Sequence, residues 1–384
     1  MITHYGLDER HRDLRAEIRE FAESVRPKVE EYEQSGEFPY ELVDEMANRG
    51  FQRIPYPEEY GGRGYDYRSL AIAQEELSRV WKMLAGTLNV AWSLVGQSIY
   101  QEGTEWQKEE WLGGLLDGDI GALSMTEPGA GSDTGMISTT AELDGDEWVI
   151  DGHKHWTSMG EVADLVVVLA RTGEGRHDLS LIGIPMDTPG EREGMEFVRD
   201  IETMEGPVGV ESEIKYDGLR VPEENVIGEP DEGFRYAMQA LDLGRIATAG
   251  QAVGVAQGAF EAASEFADER EQFGRPIREF QGVGFKIADM RMDIEAARLL
   301  TYQAAHTRDR TDRASIEAAM AKTYATDVAM DVTTEAVQVH GARGYSKDYP
   351  VERFMREAKG MQIYEGTNEI NRQVILNEMY TRGR

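Results

Sequence analysis

Met125-Thr126-Glu127-Pro128-Gly129-Ala130-Gly131-Ser132-Asp133 lies just past the point where the chain changes character. From Gly121 to about Gly228, short apolar runs at 148–150, 165–169, 181–184 and 226–227 are separated by Gly, Asp and Pro. Asp144-Gly145 and Asp151-Gly152 sit beside these runs as turn dipeptides, so the spacing predicts an antiparallel β region. On the N-terminal side Leu14, Ile18, Phe21, Ala22 and Val25 recur at helical spacing. A second helix is expected from Pro39 to Gly50, a loop from Pro55 to Tyr67, and another helical stretch from Leu70 towards Tyr100. Residues 222–233 look like a connector. Beyond Gly233 the pattern is helical to the end; Val283, Ile287, Met290, Ile294 and Ala297 step by about three or four, the seam of a helix bundle. The expected layout is mainly α with a central β-domain: residues 1–120 helical, 121–230 β, 231–384 helical.

Charge narrows the function. The 384 residues hold 72 acidic against 40 basic groups, a formal net charge of -32, spread along the chain. Phosphate backbones need clustered positive charge, so nucleic acid is a poor partner. Without Cys, disulfides and thiolate metal sites are excluded. His153 and His155 are the one close His pair and show no obvious third ligand, so no metal is expected. No P-loop or dinucleotide glycine pattern is present. The N-terminus lacks a signal-peptide pattern and the longest aliphatic run, 165–170, is too short for a bilayer, so the expectation is a soluble cytoplasmic protein without membrane insertion.

Four runs carry candidate chemistry. In 125–133, Gly129 and Gly131 flank Ala130 and permit close backbone approach to an anionic ligand, although on the residues alone a plain turn between two elements is the favoured reading. In Lys154-His155-Trp156-Thr157-Ser158, the indole offers a stacking face and the hydroxyls can bond ring heteroatoms; a strand bearing a core Trp is the simpler reading. In 270–277, followed by Phe280-Gln281, Arg270 can pair with a diphosphate while Phe273 packs on a base; in isolation a helix end and turn is the safer reading. The last run is 338–345 with Ile363-Tyr364-Glu365-Gly366-Thr367. Desolvation would raise the pKa of Glu365, although most of the 72 acids are surface groups.

Taken together and in this order, the runs resemble the acyl-CoA dehydrogenase family over essentially the whole chain. The resemblance is greatest to the short-chain, butyryl-type branch, including 241–246 and 349–353. It implies a helical N-terminal domain, a middle β-barrel or sandwich, a C-terminal four-helix bundle, and a homotetramer built as a dimer of dimers. It further implies FAD bound between β-domain and bundle and reaching a neighbouring subunit. Leu123, Met125, Thr126, Gly131, Ser132, Trp156, Thr157 and Ser158 would surround the flavin ring. Arg270, Phe273, Gln281, Gln338, Val339, His340, Gly341 and Ala342 would hold its adenosine diphosphate part, and Thr367, Asn368 and Glu369 would also touch FAD. Ser132, Asp242, Leu243, Gly244, Arg245 and Gly366 match positions along the acyl-CoA. Glu365 would take the α-proton, FAD N5 the β-hydride, and an electron-transferring flavoprotein the electrons, giving a trans-2-enoyl-CoA.

Departures from the family pattern are Gly341-Ala342-Arg343-Gly344, where Arg343 adds a charge, and Trp156-Thr157-Ser158-Met159. The isovaleryl-type branch carries its base at the position of Gly244, and Gly cannot be a base. The glutaryl-type branch uses an Arg near what is here Ala85, which argues against a dicarboxyl substrate. An oxygen-using oxidase and a non-catalytic flavoprotein of the same fold remain as alternatives; the intact Glu365 run speaks against the second.

Self-repulsion among so many carboxylates weakens the compact state, and concentrated salt screens it. The acidity therefore points to a salt-loving cytoplasm. The melting temperature is expected to rise as KCl is taken from millimolar to molar; a salt-independent curve would sink the halophile reading.

Overall fold

The computed structural model describes residues 6–208 and 211–381. They form two compact units: the described residues of Met1–Glu30, Asp66–Gly86 and Arg245–Arg384 make one, and Glu31–Tyr65 with Thr87–Gly244 make the other.

The second unit contains the sheet. Its strands are β1 (Gly121–Ser124), β2 (Thr140–Asp144), β3 (Glu147–Ser158), β4 (Leu165–Arg171), β5 (Leu179–Pro185), β6 (Met195–Asp200), β7 (Glu211–Pro222) and β8 (Val226–Ile227). They pair in the order β6-β7-β3-β2-β4-β5-β8, with β1 beside β4. The β region thus falls where the apolar runs predict it. The expectation of wholly antiparallel pairing needs correction, because β1 runs parallel to β4, from Gly121 opposite Leu165 to Ser124 opposite Val168. A parallel pair joins distant stretches and leaves no turn dipeptide to announce it. The fully apolar runs are central strands: β4 and β5 are buried on both faces except at their last residues. The expected helix after Pro39 spans Tyr40–Asn48, and Gly50 beyond it takes a positive φ.

The first unit is helical. Its helices are α1 (Glu9–Val25), α2 (Tyr67–Ser78), the part of α3 (Gly233–Glu269) from Arg245 onward, α4 (Gln281–Arg308), α5 (Ser315–His340), α6 (Val351–Met361) and α7 (Asn368–Thr381). The α1 stripe read from the sequence is the buried stripe. In α4, Met290, Ile294 and Ala297 are buried and Val283 and Ile287 pack against the same core. The long stretch expected from Leu70 starts earlier, at Tyr67 under an Asp66 cap, and is broken after Ser78; it resumes as Lys82–Asn89, a π-helical Val90–Gly96 and Gln97–Glu102.

Close approach between α2 and α3 depends on Gly254 and Gly258. A Cβ at Gly254 would lie 2.3 Å from the Glu75 carbonyl oxygen, and one at Gly258 2.4 Å from that of Arg79. At both positions backbone meets backbone with no side chain between, while Ala252, Ala256, Ala259 and Ala263 are buried on the other side of α3. Beside the contact lies a buried polar network: Glu75 accepts from Arg298 Nε at 3.0 Å and Tyr302 Oη at 2.9 Å, while Glu76 accepts from Arg19 Nε at 2.8 Å.

His11 ties α1 to α2. Its Nε2 lies 2.9 Å from an oxygen of Asp66, which also caps α2 through the Ser69 N–H at 3.1 Å. The Asp66 hydrogen bond, working against burial, raises the pKa of His11. A raised imidazole stabilises the fold below its unfolded pKa, and that contribution is lost as pH rises through the folded value. Urea unfolding of His11→Ala against the natural chain should therefore show a larger stability deficit at pH 6 than at pH 9; an equal deficit would remove the charged contact.

Candidate active site

The glycine-rich run forms a tight loop, with Glu127 N–H donating to Ala130 O at 3.0 Å and Ala130 N–H to Glu127 O at 3.1 Å. Its anchor is a buried ion pair that the sequence did not announce. Lys154, fully buried on β3, donates from Nζ to Met125 O at 2.9 Å and to Glu127 Oε1 at 3.1 Å. The Glu127 carboxylate also accepts from the N–H groups of Ser138 at 2.7 Å and Thr139 at 2.8 Å. Burial works to raise the Glu127 pKa, but Lys154 and these donors outweigh it and hold the carboxyl down at about 2. Burial pushes Lys154 down to about 8 against the pull of Glu127. Gly129 and Gly131 face open space. Leu123, Met125 and Thr126 are half-buried, and Gly131 and Ser132 are exposed.

β3 carries a bulge between Lys154 and Thr157, so that His155 and Trp156 together oppose Glu213 of β7. Trp156 absorbs the extra residue with a left-handed φ of 60°, and its side chain is 51 % exposed. His155 N–H donates to Thr126 O at 2.8 Å, holding the indole strand against the loop. An indole presented on a rigid sheet beside an open glycine loop fits a planar ring system. Two neighbours depart from expectation. Thr157 is fully buried, its Oγ1 3.0 Å from Ser124 Oγ. Ser158 Oγ donates to Glu211 at 3.0 Å. The bulge turns each side chain by one position, and a strand read without it misassigns the faces.

The His pair has the third partner that sequence could not supply. His153 Nε2 and His155 Nε2 lie 2.8 and 3.1 Å from Glu213 Oε1, and Arg199 Nε donates to Oε2 at 2.8 Å. Two imidazoles and a guanidinium thus already occupy both carboxylate oxygens.

In the helical unit, Glu365 and the following Gly366 both adopt left-handed backbone, with φ 55° and 81°. Arg245 Nε donates to Glu365 O at 3.3 Å. Lys322 Nζ and Asn371 Nδ2 donate to Gly366 O at 2.8 and 2.7 Å. Tyr364 Oη donates to Gln251 Oε1 at 3.1 Å, and Lys82 lies over the Tyr364 ring, 5.2 Å from its centre. Asp242, Leu243 and Gly244 are buried on α3 immediately before Arg245, itself buried.

The residues assigned to the adenosine diphosphate divide. Phe273 stands at the tip of a two-residue hairpin between Glu271-Gln272 and Arg275-Pro276, with φ 52°, and is 94 % exposed. Arg270 is half-buried; Gln281, Gln338, Gly341 and Ala342 are exposed, so all five are open to solvent. Val339 and His340 are buried instead: His340 Nδ1 bonds Ala336 O at 2.8 Å and its ring stacks on Phe266. Asn368 is also buried, its amide accepting from Lys322 at 3.0 Å and donating to Asp327 at 2.8 Å. These three side chains serve the core, because the helical period turns them inward. Thr367 is half-buried and Glu369 exposed. Arg343, the extra charge, lies over the Phe266 ring at 5.8 Å.

Three family models match in sequence order: the acyl-CoA dehydrogenase N-terminal domain over residues 8–119, the middle domain over 122–217 and the C-terminal domain over 231–380. The chain belongs to the acyl-CoA dehydrogenase family and is an oxidoreductase with that family's fold, helical at both ends around a β-domain. It is 41 % identical to the short-chain specific acyl-CoA dehydrogenase of Clostridium acetobutylicum, covering 98 % of this chain and 99 % of that protein. It is 40 % identical to the caffeyl-CoA reductase-Etf complex subunit CarC of Acetobacterium woodii, over 96 % and 98 % of the two chains. Among solved structures, the butyryl-CoA dehydrogenase of Megasphaera elsdenii superposes with a TM-score of 0.93 at 39 % identity, covering 97 % of this chain and 99 % of that one.

Removing one member of a buried ion pair strands the other charge, at a cost of about 3–5 kcal/mol. Lys154→Met should lower the unfolding free energy by that order, read from urea curves, and Lys154→Met with Glu127→Gln should recover part of the loss. A single variant as stable as the natural chain would contradict the anchor.

Proposed function

We propose that the protein dehydrogenates a short- or medium-chain acyl-CoA to the trans-2-enoyl-CoA, with Glu365 as the base that removes the α-proton. The carrying observation is the turn itself: Glu365 sits in left-handed backbone whose carbonyls are taken by Arg245, Lys322 and Asn371. Non-Gly residues pay about 1–2 kcal/mol for that conformation, and such strain concentrates at functional positions. A free Glu, with pKa near ~4.3, is a weak base; a dry acyl pocket would raise it towards working pH. Ser132, Asp242, Leu243, Gly244, Arg245 and Gly366 are proposed along the acyl-CoA.

FAD is the proposed cofactor and supplies the hydride acceptor. Trp156 with the loop of Met125, Thr126, Gly131 and Ser132 would receive its ring. Arg270, Phe273, Gln281 and Gln338 would hold its diphosphate end, joined by the backbone of Gly341 and Ala342. Electron delivery to an electron-transferring flavoprotein is supported by the Etf complex named for the Acetobacterium woodii relative. Self-association into a homotetramer is supported by Phe285, Met292 and Leu299, exposed on α4 at seven-residue spacing and hence on one face. Among the described residues no helix is long and apolar enough to cross a membrane.

Anaerobic mixing of holoprotein with acyl-CoAs of graded chain length should bleach the flavin band for at least one of them; no bleaching at any length would defeat the reading. Glu365→Gln should retain FAD and lose turnover by about 10²–10⁴-fold. Reoxidation of the bleached protein should be fast with electron-transferring flavoprotein and slow with O₂; the reverse order would make it an oxidase.

A further inference from the structure

Lys322, on α5, is fully buried, a position lysine almost never takes without a specific partner. Its ammonium donates to Gly366 O at 2.8 Å and Asn368 Oδ1 at 3.0 Å, one residue on either side of Thr367. Asn368 is in turn fixed by Thr326 Oγ1 at 2.9 Å and Asp327 Oδ1 at 2.8 Å, both on α5. The segment after the base is therefore fastened to one helix at two successive points, and the central fastener is a cation. A neutral donor would satisfy Gly366 O equally well, as Asn371 does at 2.7 Å. Burying a full charge instead carries a desolvation cost that hydrogen bonding alone does not require.

We propose that Lys322 is the positioning residue of the catalytic base, holding the Glu365–Gly366 turn in its left-handed form and favouring the anionic Glu365 wherever its own amine is protonated. The inference rests on the assignment of Glu365 as base. The charged groups acting on Lys322 are Glu365 and Glu369 from the 365–369 segment, Arg245 from α3 and Asp327 from its own helix. Burial pushes Lys322 down to about 7; Glu365 pulls it back up, Arg245 lowers it further, and Asp327 and Glu369 raise it. The attraction is reciprocal: an ammonium that Glu365 helps to keep charged helps to keep Glu365 charged. A nearby positive charge favours the anionic base, so its loss must move the onset of base catalysis to higher pH.

Lys322→Gln keeps a donor for Gly366 O and removes the charge; Lys322→Arg keeps the charge. With FAD content checked first, kcat, KM and the pH profile of kcat/KM separate the roles. Lys322→Gln should lower kcat by about tenfold or more with a smaller change in KM, and should shift the acid limb upward by about one pH unit. Lys322→Arg should restore the limb to its natural position. A Lys322→Gln profile superimposable on the natural one overturns the proposal, as does an upward shift in Lys322→Arg. If Lys322→Gln does not retain FAD, Lys322→Arg decides alone: a natural limb supports the proposal and a shifted one overturns it. The base assignment is tested separately, since full turnover in Glu365→Gln would sink it. An inactive Glu365→Gln beside an unaltered Lys322→Gln sinks only the role of Lys322.

Discussion

Two consecutive residues, Glu365 and Gly366, hold left-handed backbone, and much of the helical unit is arranged so that they can. Arg245 reaches them from α3, Lys322 from α5 and Asn371 from α7. Each donor depends on its own helix being correctly placed, so the turn reports on the packing of the bundle. α3 carries glycines where it meets the backbone of α2, at Gly254 and Gly258. α5 packs through a run of small buried residues, Ala318, Ala321, Ala325 and Ala329. Interiors packed at crystal-like density transmit small displacements rather than absorb them. A carboxylate placed by three helices is therefore sensitive to changes well away from it.

The sheet solves its positioning problem by a different route. One extra residue in β3 breaks the alternation of faces and turns Trp156 to solvent, while Lys154 stays inside and fastens the glycine loop through Glu127. A rigid strand holds the indole's flat face outward, and a buried ion pair anchors the glycine loop. The exposure of Trp156 is the local consequence of one β-bulge that begins just after Lys154.

The architecture was legible in the sequence because it depends on periodicity. The α1 stripe, the apolar seam of α4 and the short β runs are repeated signals, and each falls where its spacing predicts. The Glu365 run and the glycine loop were legible as motifs. What stayed hidden depends on long-range register. Lys322 looks like any Lys in an alanine-rich helix until Gly366 and Asn368 arrive from forty-odd residues downstream. Glu213 completes the His153 and His155 cluster from sixty residues away. Val339, His340, Asn368 and Thr157 lie inside motifs and look alike on paper, but helical phase or the bulge turns their side chains into the core. Motif membership locates a segment, and packing decides which of its atoms a ligand can meet.

The exposure of Trp156 has a spectroscopic consequence. Trp81, Trp92, Trp111 and Trp148 are buried, whereas Trp106 and Trp156 are 46 % and 51 % exposed. Indoles sealed in an apolar core emit at shorter wavelength than those in contact with water. The red edge of the protein's intrinsic fluorescence therefore belongs to two side chains, one of them on the bulge beside the glycine loop. The chain carries its own optical label at that position.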